Sequence, residues 1–414
     1  MQHKIVIIGS LKENVELTRR AKKRGYYTIV CDGNEDGPAK KEADKAYTID
    51  IRDVDAVAQM CMDENVDGII GSFSDLICEQ ITKIADKASL KWYLKPEQLK
   101  YYREKNDAKT LMQNLGICVP KNRTITRDFL EEDLKEFKFP LVIKPVNGWG
   151  SRSIYVVKTI DEIREKYDEV QSFSDRDMIE IEEYSQGREY NMMTCLADGE
   201  VYVMSIADRE KNPQVGNKVP LVNRVVYPAK NIDKIVDDAK KVIERFTQAT
   251  GQKDGFVSMQ FFRNERGIEV CEIAGRMLGY EHDLITRCSG LNIEELMLDY
   301  VYDSVKLKER LQNHSPIFSN NYEALVWFGV DGKTLKKQSS LFEIKKYEQV
   351  EEIWPFYNEG DVIDNQNVSH VARLVVHSED REELDEITKR IFEEVYFEST
   401  DGETAAQQPI FYNE

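Results

Sequence analysis

The sequence predicts a mixed α/β protein, in which a parallel, doubly wound N-terminal sheet is followed by an α+β region. Three observations support this. Residues 1–94 alternate short apolar strands with helical segments, and repeated βα units imply a parallel sheet covered by helices. From about residue 120 the pattern changes to paired strands with short turns, which is typical of hairpins. The length of 414 residues exceeds one ordinary core, so two or three domains are expected.

The N-terminal domain is expected to begin with strands at 4–9 and 27–32 and a further strand and loop at 66–75. Asp53 is expected to cap the helix that precedes the last of these. Such a sheet often binds a dinucleotide, but the loop after Gly9 reads Ser-Leu-Lys-Glu-Asn and lacks the glycines of the usual fingerprint. A scaffold or substrate-side role is therefore expected for this domain.

The remaining chain is expected to fold as α+β. The predicted domain limits are 1–94, 95–305 and 306–414, with a mobile lid at about 120–185. Helices are expected at 95–117, 161–171, 232–249, 293–311 and 380–394. Strands are expected at 139–145, 154–158, 178–184, 189–196, 201–208, 323–330 and 371–376.

Composition and charge exclude several classes of function. A net charge of −18 argues against a nucleic-acid partner, and no apolar run approaches the ~20 residues that a membrane span needs. The first residues, MQHKIVIIGS, predict a strand rather than a signal peptide. Seven scattered cysteines without a C-x-x-C pair and five scattered histidines indicate reduced thiols, a cytoplasmic location and no zinc framework.

The segment 256–276 is predicted to form a hairpin that brings Gln260 and Glu272 together. Its strands, FVSMQFFR and IEVCEIAGR, alternate, and the turn N-E-R-G joins them. A carboxylate at the end of an otherwise apolar strand is costly to bury unless a positive partner meets it. That partner is either Mg²⁺ with a nucleotide phosphate, since Mg²⁺ prefers oxygen ligands, or simply Arg276. The same alternation predicts that Cys271 points to the opposite face, into the core.

A glycine loop between two predicted strands suits phosphate binding. Lys144 ends the first strand, and Gly148, Gly150 and Ser151 follow it. Glycines let backbone N–H groups approach phosphate oxygens, and lysine supplies positive charge. Most hairpins of this kind are only tight turns, and the sequence has no G-x-x-x-x-G-K-[ST] loop. The loop alone therefore does not indicate a function, and its position in the chain relative to other motifs has to be considered.

Four motifs in order resemble the ATP-grasp superfamily of carboxylate–amine ligases, over roughly residues 3–300. They are EKNDAKTLMQNLGICVP (104–120), FPLVIKPVNGWGSRSIYVV (139–157), IEEYSQGREY (181–190) and the hairpin with Arg276. The chain looks most like the branch that contains biotin carboxylase, carbamoyl-phosphate synthetase and the L-amino acid ligases. The resemblance implies an ATP-grasp fold, ATP, Mg²⁺ with Mn²⁺ as an alternative ion, and two small-molecule substrates. A homodimer is compatible with it.

The resemblance also implies roles for individual residues. The lysines and the glycine loop would contact the ATP phosphates, the hinge would hold the adenine edge, and Glu189 would bind the ribose. The implied nucleotide-binding residues are Lys105, Lys144, Gly148, Gly150, Ser151, Glu182, Glu183, Ser185 and Glu189. Gln260 and Glu272 would hold Mg²⁺, while Arg276 and Lys144 would act in catalysis by stabilising the transferred phosphoryl group.

Two positions depart from the family pattern. Gln260 stands where many members have glutamate, and Ala274 where many have asparagine, so the metal is expected to have one protein ligand fewer. His282 and Arg373 are further candidates for substrate contact. The alternatives are a plain hydrogen-bonded histidine and a structural ion pair.

The predicted activity is an ADP-forming ligase that makes an amide bond through an acyl-phosphate, on an amino acid or another small carboxylic acid. The alternatives are a bicarbonate- or biotin-type carboxylase, a purine-pathway carboxylase, and a nucleotide-binding protein without turnover.

Overall fold

The computed structural model describes residues 2–71, 73–146, 153–212, 216–364 and 369–411. Gly148, Gly150 and Ser151 therefore lie outside the described residues. Within the described ranges, no helix is long and apolar enough to cross a membrane.

The N-terminal part is a parallel sheet of four strands with helices on its faces, as predicted. Its strands are β1 (Lys4–Ile8), β2 (Tyr27–Cys31), β3 (Lys45–Tyr47) and β4 (Gly68–Ile70), in the order β3-β2-β1-β4. Its helices are α1 (Glu13–Lys23), α2 (Val54–Asp63) and α3 (Asp75–Ala88). The Asp53 side chain caps α2 by accepting from the Ala56 N–H at 3.0 Å.

A second, antiparallel sheet of four strands coincides with the predicted lid. The elements here are α4 (Lys100–Arg103), α5 (Lys105–Asn114), β5 (Asn122–Ile125), β6 (Leu141–Pro145), β7 (Tyr155–Val157), α6 (Ile160–Gln171) and β8 (Ile179–Glu183). The strand order is β5-β8-β6-β7, and α6 packs its buried residues Ile163, Tyr167 and Val170 into a separate apolar core. The mobility of this unit stays a prediction.

The prediction of one continuous helix at 95–117 is wrong, because this segment contains two separate helices. A short 3₁₀ turn over Pro96–Gln98 leads into α4, and α5 begins separately at Lys105. Glu104 lies between α4 and α5 with φ −97° and ψ 104°, an extended conformation that helical periodicity does not reveal. The break puts Lys105 at the first turn of its own helix.

The largest unit is an antiparallel sheet of eight strands in the order β13-β12-β9-β10-β11-β14-β17-β16. Its strands are β9 (Arg188–Ala197), β10 (Glu200–Lys211), β11 (Val222–Tyr227), β12 (Gly255–Asn264), β13 (Gly267–Ala274), β14 (Asn321–Phe328), β16 (Val350–Pro355) and β17 (His370–Ser378). The helices in this part of the chain are α7 (Val236–Thr250), α8 (Glu281–Ser289), α9 (Ile293–Tyr302), α10 (Ser304–Gln312), α11 (Ser340–Glu343) and α12 (Arg381–Glu394). Two further strands, β15 (Leu335–Lys337) and β18 (Glu398–Ser399), pair with each other in a separate small sheet.

This sheet runs across the predicted domain limit at residue 305. Strand β11 pairs with β14, so the 306–414 segment extends the same sheet. The helix predicted at 293–311 is also divided, because Asp303 ends α9 and its side chain caps α10. The domain limits stay a prediction, and the sheet continues without a break across the limit at residue 305.

Candidate functional site

The predicted hairpin is present, and its register places the two candidate metal ligands opposite each other. Strands β12 and β13 pair antiparallel, with Gln260 across from Glu272. The turn is tight, and Gly267 accommodates its φ of +94° at the start of the return strand. Two side chains that carry oxygen therefore lie side by side on neighbouring strands.

The prediction that Cys271 faces the core is wrong. The register shifts directly after Gln260, so that Phe261 pairs with Val270 and Cys271 becomes the extra residue of a bulge. Its half-buried thiol faces charged groups that include Glu189 and Lys144, and burial together with Glu189 raises its pKa to about 11. A strict alternation of side chains cannot anticipate such a bulge.

Glu272 does not pair with Arg276, which was the simplest interpretation of the hairpin. The Arg276 guanidinium instead donates two hydrogen bonds to Asp75 in the first turn of α3, Nε to Oδ1 at 2.8 Å and Nη2 to Oδ2 at 3.0 Å. Glu272 is exposed, and no described residue forms an ion pair or hydrogen bond with it. Its charge nevertheless acts on Arg276 and on Lys105, so these three groups lie near one another.

Gln260 and Glu272 could hold a metal ion whose remaining ligands come from the nucleotide phosphates and water. Gln260 donates from Nε2 to Glu189 at 2.7 Å, which leaves its amide oxygen as the group able to bind a cation. No cluster of three or more His, Cys, Asp or Glu side chains suited to a metal occurs among the described residues. Mg²⁺ is commonly held by one or two protein oxygens together with substrate phosphates and water.

Glu189, the residue implied for the ribose, lies at the centre of a buried charged group. Its carboxylate accepts from Arg209 at 2.6 Å, forms an ion pair with Lys211 and accepts from Gln260. Burial opposes its ionisation, but Arg209 and Lys211 outweigh burial and lower its pKa. A ribose would have to share this carboxylate with three donors, so the implied role stays a prediction.

The two implied phosphate lysines converge from α5 and β6. Lys105 is half-buried, and burial together with the nearby charge of Lys144 lowers its pKa. Lys144 donates to Glu182 at 2.5 Å. The resemblance implied that Glu182 binds the nucleotide, but its carboxylate is bound here by Lys144.

The hinge residues are partly engaged in the lid sheet. The Glu183 N–H donates to the Lys121 carbonyl at 2.9 Å, and the Glu183 carboxylate accepts from the Lys138 N–H at 3.1 Å. The Ser185 hydroxyl donates to Glu269. The predicted adenine contacts stay predictions.

Several charged residues that the motifs did not indicate lie in this cleft or directly beneath it. They are Asp75, Lys109, Glu180, Arg209, Lys211 and Glu281. Two signals were available: Lys109 stands four residues after Lys105 on one helix face, and Arg209 and Lys211 alternate on one face of β10. Glu281 lies five residues after Arg276 and accepts hydrogen bonds from Asn191 at 2.9 Å and from the Tyr227 hydroxyl at 2.8 Å.

Arg373 does not form the structural ion pair that was one of its two interpretations. No described carboxylate lies within ion-pair distance of it. Its guanidinium carbon lies 4.3 Å from the ring centroid of Tyr280 and 5.2 Å from that of Trp354, and burial lowers its pKa. The ammonium group of Lys12 lies over the same Trp354 ring, and it too has no carboxylate partner among the described residues. Two cations therefore meet beside aromatic rings with no described carboxylate in ion-pair contact, although the charges of Glu13 and Glu352 act on both.

His282 has the structural role that was its alternative interpretation. It is buried, stacks on Phe73 with ring centroids 4.5 Å apart, and its Nε2 lies 3.1 Å from Glu294. Its second ring nitrogen contacts the Gly279 carbonyl. Burial would lower its pKa, but the hydrogen bond and charge of Glu294 outweigh burial and raise it.

Residues 137–282 match the ATP-grasp domain. The chain contains an ATP-grasp domain. This match spans Lys144, the hinge and the Gln260–Glu272 hairpin, and it confirms the ATP-grasp domain that the motifs predicted.

Two relatives in sequence and one solved structure, which bears on the fold alone, are similar to this chain. The carbamoyl phosphate synthase large chain of Clostridium perfringens (strain SM101 / Type A) is 25% identical over 317 residues, which cover 71% of this chain and 28% of that protein. The N5-carboxyaminoimidazole ribonucleotide synthase of Staphylococcus epidermidis (strain ATCC 12228 / FDA PCI 1200) is 25% identical over 285 residues, 69% of this chain and 72% of that protein. The crystal structure of an L-amino acid ligase from Bacillus licheniformis superposes with a TM-score of 0.79 at 18% identity, over 96% of this chain and 98% of that chain.

Proposed function

We propose that the protein is an ADP-forming ligase that joins a carboxylate to an amine through an acyl-phosphate. The observation that carries the proposal is that Glu272, paired with Gln260 across the hairpin, lies close enough to Arg276 and Lys105 for its charge to act on both. Oxygen ligands for a cation and fixed positive charges for phosphate oxygens thus meet at the end of one hairpin. Phosphoryl transfer needs such positioning and charge neutralisation, and it needs no nucleophilic side chain.

In this proposal Lys105 and Lys144 bind the phosphates of ATP, with Gly148, Gly150 and Ser151 covering them. Bound Mg²⁺, held by Gln260 and Glu272, would neutralise phosphate charge. An oxygen of the substrate carboxylate attacks the γ-phosphorus, and the bond to the ADP oxygen breaks.

The amine substrate completes the reaction. Its nitrogen attacks the acyl carbon, and inorganic phosphate leaves with the oxygen that came from the carboxylate. Arg276, oriented by Asp75, stabilises the negative charge that develops on the phosphoryl oxygens. The lid excludes water, which would otherwise hydrolyse the acyl-phosphate.

The substrate side is proposed to include Arg373 and Lys12. The protein has a net charge of −18, yet Lys12 and Arg373 lie side by side with no described carboxylate within ion-pair distance. These two cations can therefore bind an anionic ligand. Tyr280, whose ring contacts Arg373, directly precedes Glu281 and lies four residues after Arg276.

The test is a screen for ADP release with amino acids, singly and in pairs. The proposal expects ADP and an amide product only when a carboxylate and an amine are both supplied. Glu272→Ala should abolish both, while Glu265→Ala, in the turn of the same hairpin, should retain them. ADP release that Glu272→Ala leaves unchanged would contradict the assignment.

A second candidate is a carboxylase that uses bicarbonate. It is favoured by the similarity to N5-carboxyaminoimidazole ribonucleotide synthase over 72% of that protein's length. The same screen with bicarbonate in place of the amino acid pair decides between the two, because bicarbonate-dependent ADP release without an amino acid would favour the carboxylase. Nucleotide binding without turnover in every arm would favour a protein that binds ATP and does not use it.

A further inference from the structure

A buried group of charges lies directly behind the proposed phosphate lysine Lys144. Lys109, on α5, donates to Glu180 at 2.6 Å and also contacts the Glu182 carboxylate. Lys144 donates to the same Glu182 at 2.5 Å and lies 3.6 Å from Glu180. Glu180 and Glu182 alternate on β8 and so share one face of the lid sheet. Two lysines therefore compete for two carboxylates.

Lys109 does not reach the nucleotide cleft itself. Only 4% of it is exposed, and Glu180 is fully buried. Buried carboxylates need positive partners, because an unpaired buried charge is strongly destabilising. Without Lys109, Lys144 would be the remaining described lysine within ion-pair distance of both glutamates.

We propose that Lys109 is a positioning residue for nucleotide binding: by neutralising Glu180 and Glu182 it leaves the ammonium group of Lys144 available to phosphate oxygens. This inference rests on the proposed nucleotide site, and it assigns to Lys109 and Glu180 a function beyond packing. The α5 helix thereby contributes twice, with Lys105 at its first turn and Lys109 one turn later.

The electrostatics of the group agree with this arrangement. Burial alone would raise the pKa of Glu180, but Lys144 and Lys109 outweigh burial and hold it at about 2, so Glu180 is ionised. Burial and the charge of Lys144 lower the pKa of Lys109 to about 7. The charged and titratable groups that face Lys109 are Glu180 and Glu182 from β8, Lys144 from β6, Lys105 from α5 and Cys271 from β13.

The experiment is calorimetric titration of the full-length protein with ADP, and with adenosine as a ligand that has no phosphate. Lys109→Met should raise the ADP dissociation constant about tenfold and leave the adenosine constant unchanged. Lys109→Arg keeps the charge and should stay within about twofold of the wild type. Glu180→Gln removes a competitor for Lys144, so it should leave ADP binding unchanged or tighter.

A matched control is Arg310→Met, which breaks another ion pair with a buried partner, the 2.7 Å contact to Asp299 between α10 and α9. It should lower the melting temperature without changing ADP affinity. Lys109→Met with unchanged ADP affinity would overturn the inference and leave Lys109 a structural residue. If Lys109→Met does not fold, weaker ADP binding by Glu180→Gln would overturn it equally.

The pH profile adds an independent readout. Lys109 loses its proton as the pH rises past about 7, so ADP affinity of the wild type should fall between pH 6 and 9 more steeply than that of Lys109→Met. Parallel profiles would contradict the inference. Failure of the wild type to bind ADP at all would instead refute the proposed nucleotide site.

Discussion

The ion pair between Asp75 and Arg276 joins the start of helix α3 to the end of the hairpin, and the effect of its loss can be calculated. Asp75→Asn keeps the shape of the side chain but removes the charge and one of the two acceptors. Arg276 is 17% exposed and Asp75 31%. The guanidinium would then lie mostly buried beside a neutral amide, as a charge without its counter-charge.

The expected cost follows from those contacts. A hydrogen bond to a charged group contributes about 1.5–3 kcal/mol, and Asp75 also interacts favourably with the N-terminus of α3. Because Asp75 is partly exposed, solvent offsets part of the loss. We therefore expect Asp75→Asn to lower the free energy of unfolding by about 2 kcal/mol. Looser placement of Arg276 should also lower kcat for ADP formation about tenfold or more, with little change in the KM for ATP.

The assay is urea unfolding of Asp75→Asn, Arg276→Met and the double variant, alongside steady-state kinetics. The two single variants should each lower the free energy of unfolding. The double variant should lower it by about 1–2 kcal/mol less than the sum of these two losses, because the two side chains interact. Asp86→Asn, at an exposed position of the same helix, is the control and should match the wild type. Additive losses, or unchanged kcat in Asp75→Asn, would refute the proposed positioning of Arg276.

Two further predictions concern the substrate side and α8. Arg373→Met should raise the KM of the carboxylate-bearing substrate about tenfold while the KM for ATP stays constant; equal rises in both constants would contradict a substrate role. The raised pKa of His282 beside Glu294 should stabilise the fold fully below about pH 6.5 and progressively less as the pH rises through the folded-state pKa. The measurement is the free energy of unfolding of the wild type and of His282→Gln across pH 5–9. The stability advantage of the wild type should shrink as the pH rises, and a constant advantage would exclude the linkage.

Much of the fold could be predicted because it depends on local periodicity. Alternating strands and helices indicated the parallel sheet, and the turn before Gly267 indicated the hairpin that pairs Gln260 with Glu272. The order of lysines, glycines and acids indicated an ATP-grasp domain, which the match over residues 137–282 confirmed.

The rest depends on contacts between distant parts of the chain or on local irregularities. The partner of Arg276 lies 201 residues earlier, at Asp75, and no periodicity encodes that contact. The bulge that turns Cys271 toward the charged cleft breaks the period on which its predicted orientation relied. Lys109 has the spacing of a surface helix residue, and its burial depends on how α5 packs against β8.

The measurement that tests the central claim most directly is isotope transfer from the substrate carboxylate. With a carboxylate substrate labelled with ¹⁸O, the proposed reaction predicts inorganic phosphate that carries one ¹⁸O atom for each amide formed, because the oxygen that attacks the γ-phosphorus leaves with it. Amide formation with unlabelled phosphate would contradict an acyl-phosphate intermediate and, with it, the role proposed for Gln260, Glu272 and Arg276.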